Sequence, residues 1–341
     1  MPEITVVITA YQLERYLDQC LKELFDQTFQ DFDLLLVDDC SKDRTREIIE
    51  QWKLKYPERI KTLFLQKNLG MPSKTRNAAL DSGLIDGRYF VFLDGDDAIE
   101  PFFLEKLHTA AVKYNAQVAI CAYDRVEAES GRRLCEEMKG FPAVLDIPPN
   151  NDILAFVNTS PWNKLWETSL FGDGRFPLFK VGEEVVLQFT RYVKAKRIAF
   201  VDDVLIHYRV REGSVISNTP EESIWQFANE LKSCYDSQND IFRETVALMT
   251  FLHIGISMAL RAADNPDIDL KNHLKKTSEF FKREFAWFRT SRFFKFRSLA
   301  KHGFKGVALW ACLCAYRVRC FGLVLHVFRF ATSKLHVDIK F

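Results

Sequence analysis

The sequence predicts an α/β fold, a mixed and mainly parallel sheet covered by helices, followed by a helical and basic C-terminal extension. Three observations predict it. Short β-branched runs alternate with helix-periodic segments four times over about 120 residues. Two of those runs end abruptly in carboxylates, Asp38-Asp39 and Asp94-Gly95-Asp96-Asp97. Charge is also unevenly spread behind a formal net charge of +1: residues 271–341 hold 16 Lys and Arg against 3 Asp and Glu, and residues 1–270 hold 31 against 43. Neutrality is therefore a cancellation between an acidic body and a basic tail, and such a tail suits an anionic surface, membrane or nucleic acid.

The elements follow in order. Ile4 to Ile8 form a β-branched run fit for a buried strand, and Tyr16, Leu17, Cys20, Leu21, Leu24 and Phe25 recur at helical spacing. Leu34 to Val37 form the second strand. Ser41 or Asp43 is expected to cap the next helix, whose inner face holds Ile48, Ile49 and Trp52. Leu63 to Leu65 suggest a third strand, and Pro72 opens a helix over residues 72–82, where a missing N–H costs nothing. Tyr89 to Leu93 form a fourth strand. A helix lined by Phe103, Leu104, Leu107, Ala110, Ala111 and Tyr114 precedes a strand over Val118 to Ala122. From residue 220 the pattern is helical, with a break at Asn265-Pro266-Asp267 and no strong strand before the last few residues. The expected division is residues 1–217 as the α/β domain and 218–341 as a helical region.

Hydrophobic residues make up 48% and charged residues 27%, which supports a packed core and excludes wholesale disorder. The 8 Cys show no CxxC spacing, and several lie in apolar runs, so buried reduced thiols are expected. The start, MPEITVVITAY, has no basic segment or cleavage site of a secretory signal, so a cytoplasmic location is expected.

In sheets of this kind ligands bind outside the carboxyl ends of the strands, where both acidic clusters stand. Asp94, Asp96 and Asp97 offer several hard oxygen ligands within reach of one cation, which suits Mg²⁺ or Mn²⁺ and a phosphate-bearing substrate. A solvated acidic turn capping the next helix is the alternative. One carboxylate of Asp38-Asp39 can accept hydrogen bonds from a base imide or a ribose hydroxyl.

The ordered blocks VVITAY, VDDCSKDRT, NLGMPSKTRNAAL and FVFLDGDD resemble those of family 2 glycosyltransferases, closely over residues 3–125 and more loosely to about 217. The resemblance implies a GT-A (Rossmann-like) fold and an inverting transferase. Such an enzyme moves a sugar from a UDP-sugar to a hydroxyl of a glycan or lipid-linked acceptor in bacterial surface-polysaccharide synthesis. It places Thr9, Ala10 and Tyr11 beside the nucleobase and Asp39 on the uracil or ribose, with Asp38 fixing that turn. Asn68, Gly70, Arg76 and Asn77 would lie against ribose and diphosphate. Asp94 and Asp96, around Gly95, would hold Mn²⁺ or Mg²⁺, with Asp96 the direct ligand. Trp162 and Lys164, in a block resembling the family's WNKL, would belong to the donor-sugar and acceptor cleft. Glu183-Glu184 stands where the family has Glu-Asp, which makes Glu184 the expected base, with Glu183 the alternative and an exposed first helical turn the plain reading. The closing segment HYRVREGS would bring Arg209, Arg211 and Ser214 to the diphosphate and His207 to the metal; a satisfied core histidine is the alternative.

Two other functions compete with this reading. A sugar nucleotidyltransferase would carry a Gly-rich basic loop after its first strand, where Tyr11-Gln12-Leu13-Glu14 stands instead. A catalytically inactive membrane-binding adaptor remains compatible with Glu184 in place of Asp. In the tail, rings interleave with Lys and Arg over residues 277–301, and the apolar stretches Val307 to Tyr316 and Cys320 to Phe328 fall short of the ~20 residues that span a bilayer. The tail is therefore expected to lie in the interface of an anionic membrane, which makes the protein peripheral on its cytoplasmic face. Packing onto the acidic body is the alternative. No RNA- or DNA-binding module accompanies the charge, so nucleic acid is not expected as a partner.

Overall fold

Strand β1 (Ile4–Ala10) lies inside the sheet, and all of it except Thr9 is buried. Burial on both faces is why the run is apolar without alternation. The strand belongs to a computed structural model that describes residues 1–148, 151–210, 219–285 and 294–327. The chain divides into one unit of Met1–Pro149 with Asn158–Arg211 and another of Asn150–Val157 with Glu212–Phe341.

In the first unit β1 pairs in parallel with β2 (Phe32–Asp38) on one side and β4 (Tyr89–Asp94) on the other, and β3 (Ile60–Phe64) lies parallel beyond β2. Between β1 and β4 the direction of winding reverses, so the crevice at their carboxyl ends is a topological switch point. The register sets Thr9 opposite Asp94 and Ala10 opposite Asp38. Both predicted acidic clusters therefore reach the same edge. The order continues through β9 (Lys164–Glu167), antiparallel to both β4 and β6 (Val118–Glu127), to β10 (Arg197–Val210), parallel to β6. The short strands β5 (Ala98–Ile99), β7 (Arg133–Glu137) and β8 (Val144–Asp146) complete a ten-stranded mixed sheet.

Helices α1 (Leu17–Phe25), α2 (Thr45–Lys55), α3 (Pro72–Asp81), α4 (Phe103–Tyr114), α5 (Thr168–Phe171) and α6 (Glu183–Tyr192) belong to this unit. Pro72 occupies the first turn of α3, as its fixed φ favours. The start of α2 differs from expectation. The Ser41 hydroxyl accepts from the Gln12 N–H at 3.0 Å instead of capping the helix, while Asp43 accepts from the N–H of Thr45 at 3.1 Å. Ile49 and Trp52 are buried on its inner face and Ile48 is half-buried.

The second unit is helical: α7 (Glu221–Ser237), α8 (Asp240–Thr250), a π-helical segment (Phe251–Ser257), α9 (Met258–Asp264), α10 (Leu270–Glu284), α11 (Phe296–Ala300) and α12 (Gly303–Arg317). The stretch Asp240–Asp264 runs as one 25-residue helix, long and apolar enough to cross a membrane, and 67% of its apolar window is buried within the protein. Its π-helical segment leaves room for the Tyr316 hydroxyl to donate to the Gly255 carbonyl at 2.6 Å. The expected break is real, since Asn265 donates to Thr219 O at 3.0 Å and accepts from Asp267 N at 2.9 Å. Residues Asn150–Val157 join this unit through Asp152, which pairs with Lys301 at 2.5 Å, and Phe156, which stacks on His302 at 4.4 Å. Burial works against the Asp152 carboxylate, yet His302 and Lys301 hold its pKa down at about 2.

All eight cysteines are free thiols; Cys20, Cys121, Cys234 and Cys312 are buried, while Cys320 is exposed. Gly87 marks the tightest approach before β4, because a Cβ there would lie 2.6 Å from both the Thr5 nitrogen and the Tyr89 oxygen. Backbone atoms cannot rotate aside. Gly87→Ala is expected to destabilise the protein by about 1–3 kcal/mol, read as a lower urea midpoint; an unchanged midpoint would show that β1 and β4 tolerate the strain.

Candidate active site

A cleft of about 340 Å³ opens at the carboxyl ends of β1, β2 and β4. Thr9, Ala10 and Tyr11 line it from the end of β1, and Asp39 from the end of β2. Asn68 and Gly70 enter from the turn before α3, Arg76 from α3 itself, and Asp94, Gly95 and Asp96 from the end of β4. Leu13, Met71, Pro72 and Thr75 also line it, and these were not anticipated. The signal available for them was the turn chemistry around Pro72 and the reversal of the chain after β1.

On the β2 side, Asp39 accepts from the Leu69 N–H at 2.8 Å and from Asn68 Nδ2 at 3.2 Å, which ties the 68–70 turn to the strand end. Burial raises its pKa, the Leu69 N–H opposes that rise, and the nearby Asp38 adds to it. Gly70, at φ +70°, supplies the left-handed conformation that this turn requires. Asp38 is buried outside the cleft and accepts from the Ser41 N–H at 3.2 Å, which fixes the turn. Tyr11 is 43% exposed, so its ring is open to a planar ligand.

On the β4 side, ligand atoms of Asp94, Asp96 and Asp97 all lie within 4.8 Å of one another. Arg76 Nη2 pairs with Asp94 at 3.0 Å. Arg209 approaches from β10, its backbone N–H donating to Asp97 at 3.0 Å and its Nη1 to the Asp96 carbonyl at 2.7 Å. Gly95 packs closely here, since a Cβ would lie 2.9 Å from Leu13 Cδ1 and 3.2 Å from Ile8 Cγ2 and would make those side chains shift. The Asp97 carboxyl is buried and one of its oxygens has no partner; burial and the charge of Asp94 push its pKa well up. Four carboxyl groups, Asp39, Asp94, Asp96 and Asp97, thus stand with two guanidinium groups, and a hard divalent cation suits the donor set of Asp94, Asp96 and Asp97.

Glu183 and Glu184 open α6 behind Gly182, whose φ of 81° permits the sharp entry. Burial and the neighbouring Glu184 carboxylate push Glu183 up to about 8, against a smaller opposing pull from Arg76. Glu184 is half-buried and lies within the field of Lys164.

The chain matches the model of glycosyl transferase family 2 over residues 5–150. These residues are a family 2 glycosyltransferase domain. A glycosyltransferase from Streptococcus pneumoniae serotype 4, GlyA, is 28% identical over 226 residues, covering 62% of this chain and 31% of the relative. The poly(ribitol-phosphate) β-N-acetylglucosaminyltransferase TarS of Staphylococcus aureus is 26% identical over 299 residues, covering 86% of this chain and 46% of TarS. The chain therefore spans about a third to a half of the length of these relatives. Among solved structures, TarS residues 1–349 in complex with UDP-GlcNAc has a TM-score of 0.66 at 22% identity, covering 92% of this chain and 91% of that one. A mannosyltransferase from Pyrobaculum calidifontis in complex with GDP-Man and Mn²⁺ has a TM-score of 0.53 at 14% identity, covering 94% and 87%. The fold is the GT-A fold of this family.

Four residues assigned to the site from the sequence face elsewhere. Asn77 donates to the Phe176 carbonyl and accepts from its N–H, both at 2.8 Å, so its amide is satisfied away from the cleft. Lys164 is fully buried and donates to Ser160 O and Asn163 Oδ1 at 2.6 Å, and to Asn158 Oδ1 at 3.3 Å. Burial lowers its pKa well below the usual lysine range. Trp162 is buried between Tyr123 and Tyr208, stacked on the latter at 5.5 Å. His207 presents no free nitrogen to a metal: Nδ1 bonds Asp124 at 2.7 Å and Nε2 bonds Glu100 at 2.9 Å. Burial opposes the protonated ring, but the two carboxylates prevail and raise its pKa. Arg211 and Ser214 lie outside the described residues.

The Glu183 shift has a stability consequence. Its folded pKa lies above the ordinary 4.5, so its contribution is fully present at lower pH and is lost as pH rises from about 4.5 through about 8. Glu183→Gln should flatten the decline of stability across that window in thermal melts. Parallel profiles for the two proteins would contradict the assigned environment.

Proposed function

We propose that the chain transfers a sugar from a nucleoside-diphosphate sugar, with UDP as carrier, to a hydroxyl of a surface glycan, with inversion at the anomeric carbon. The observation that carries this reading is the convergence of Asp39, Arg76, Asp94 and Asp96 in one cleft of a family 2 domain. The UDP-GlcNAc complex of TarS and the hydroxyl-bearing poly(ribitol-phosphate) in its name support the donor and acceptor classes.

In this mechanism Tyr11 stacks on the base while Asp39, held by Leu69 and Asn68, accepts from the imide or ribose. Arg76 and Arg209 orient the diphosphate through charge-assisted hydrogen bonds. Asp94, Asp96 and Asp97 would hold Mg²⁺ or Mn²⁺, which supplies neutralisation of the negative charge that grows on the departing diphosphate. Glu183 removes the acceptor proton. It is better placed than Glu184, because it lies within reach of the Arg76 field, and a pKa near 8 poises it for proton transfer around neutrality. Arg211 and Ser214, which follow Arg209, are assigned to the same diphosphate. The sugar nucleotidyltransferase reading is less well supported, since Leu13 donates to Thr45 Oγ1 at 2.7 Å where a phosphate-binding glycine loop would stand.

Nucleotide release from a panel of UDP-sugars and GDP-mannose, with Mn²⁺, Mg²⁺ or EDTA, tests the proposal. Asp96→Ala is expected to lower turnover at least about 10²–10³-fold and to abolish the metal response. Full activity in EDTA would remove the metal, and release only from GDP-mannose would reject the carrier. Glu183→Gln should lower kcat by about 10²–10⁴-fold with little change in KM for the donor. If Glu184→Gln loses activity while Glu183→Gln keeps it, the base is Glu184.

A further inference from the structure

A groove of about 850 Å³ lies in the second unit, between α10 and residues 316–322. Its volume is in the range of about 300–1,000 Å³ typical of small-molecule sites. The floor is apolar. Tyr316 and Phe321 are buried there, Leu274 is half-buried, and a Cβ on Gly322 would touch Leu274 at 3.5 Å, which shows how closely the two walls approach.

The rim is cationic. Lys271, Lys275 and Lys282 recur along one stripe of α10, opposite the buried face of His273, Thr277, Phe280 and Phe281. Arg319 faces them from the other wall. All four are exposed, and none forms an ion pair with a described residue, whereas the adjacent Lys276 pairs with Glu221 at 3.4 Å. Asp269 and Glu279 also reach the groove, and Asp269 is engaged in capping α10 by accepting from the Asn272 N–H at 3.1 Å. Beyond the groove Val318, Leu323 and Val327 stand 72%, 66% and 59% exposed. Aliphatic side chains open to water beside unpaired cations match an interface between acyl chains and anionic headgroups.

We propose that this face docks on an anionic bilayer, the groove receiving one acyl chain of a phospholipid while Lys271, Lys275, Lys282 and Arg319 hold its phosphate. A single nucleic acid strand is the less suitable occupant, because the groove's rings, Tyr316 and Phe321, are 7% and 3% exposed and offer no platform for stacked bases. The proposal stands apart from the catalytic reading and does not require it.

Co-sedimentation of the full-length chain with phosphatidylglycerol-containing vesicles and with pure phosphatidylcholine vesicles tests it. Binding to the anionic vesicles alone is expected, and Lys271→Glu/Lys275→Glu/Lys282→Glu should weaken it by more than about tenfold. Lys295→Glu/Arg297→Glu/Lys305→Glu, an equal charge change on exposed residues outside the groove, should leave it within about twofold. Leu274→Gln, which keeps the charge, should also weaken binding if a chain enters the groove. Equal losses from the two triple variants, equal binding to both vesicle types, an unaffected Leu274→Gln, or tighter binding to a single-stranded oligonucleotide through the same lysines would each overturn the proposal. Unchanged circular dichroism melts confirm that the variants fold.

Discussion

The parallel register of β1 with β2 and β4 is the constraint on which the site depends. It sets Thr9 opposite Asp94 and Ala10 opposite Asp38, so two acidic strand ends some fifty-six residues apart in sequence meet at one edge. A slip of one residue would turn every side chain of β1 to the other face. Because β1 is packed on both faces, Ile4, Val6, Val7 and Ile8 would each have to fit a new, already filled site in such a slip. Core packing and ligand geometry are thus enforced by the same hydrogen-bonded ladder, and Gly87 is the place where that ladder comes closest to a steric limit.

Electrostatics then opposes the arrangement that packing creates. Asp97 is buried beside Asp94, and burial with that neighbouring charge drives its pKa up. Arg76 and the backbone N–H of Arg209 offset part of the repulsion. Carboxylate oxygens of Asp94, Asp96 and Asp97 stand within 4.8 Å of one another, a spacing that suits a hard divalent cation. The strain is local and functional, and the sheet beneath carries it.

Strands β1 to β4 and β6 and helices α1 to α4 were legible in the sequence because each declares itself in a local pattern, such as the unbroken apolar run before Asp38 or the helical spacing from Phe103 to Tyr114. The short or mixed elements β5, β7 to β10, α5 and α6 do not. The cleft residues were legible for a related reason: a carboxylate at the end of an apolar run is placed by its immediate neighbours. The misplaced residues share the opposite property. Asn77 is satisfied by a backbone 99 residues away, and His207 by carboxylates 83 and 107 residues away. Lys164 is buried by a loop that precedes it and shows no periodicity. Whether a polar side chain is already satisfied depends on such distant partners, which spacing along the chain does not reveal.

Residues Asn150–Val157 leave the sheet unit, join the helical one, and return. Leu154, Ala155 and Val157 are 2%, 6% and 4% exposed, and Asp152 waits for Lys301 and His302, which are synthesised some 150 residues later. The two units are therefore not successive beads on a string. On the ribosome the emerging sheet unit carries this apolar excursion unsheltered until α8, against which residues 151–156 pack, has been made, which couples the maturation of the first unit to the last third of the chain.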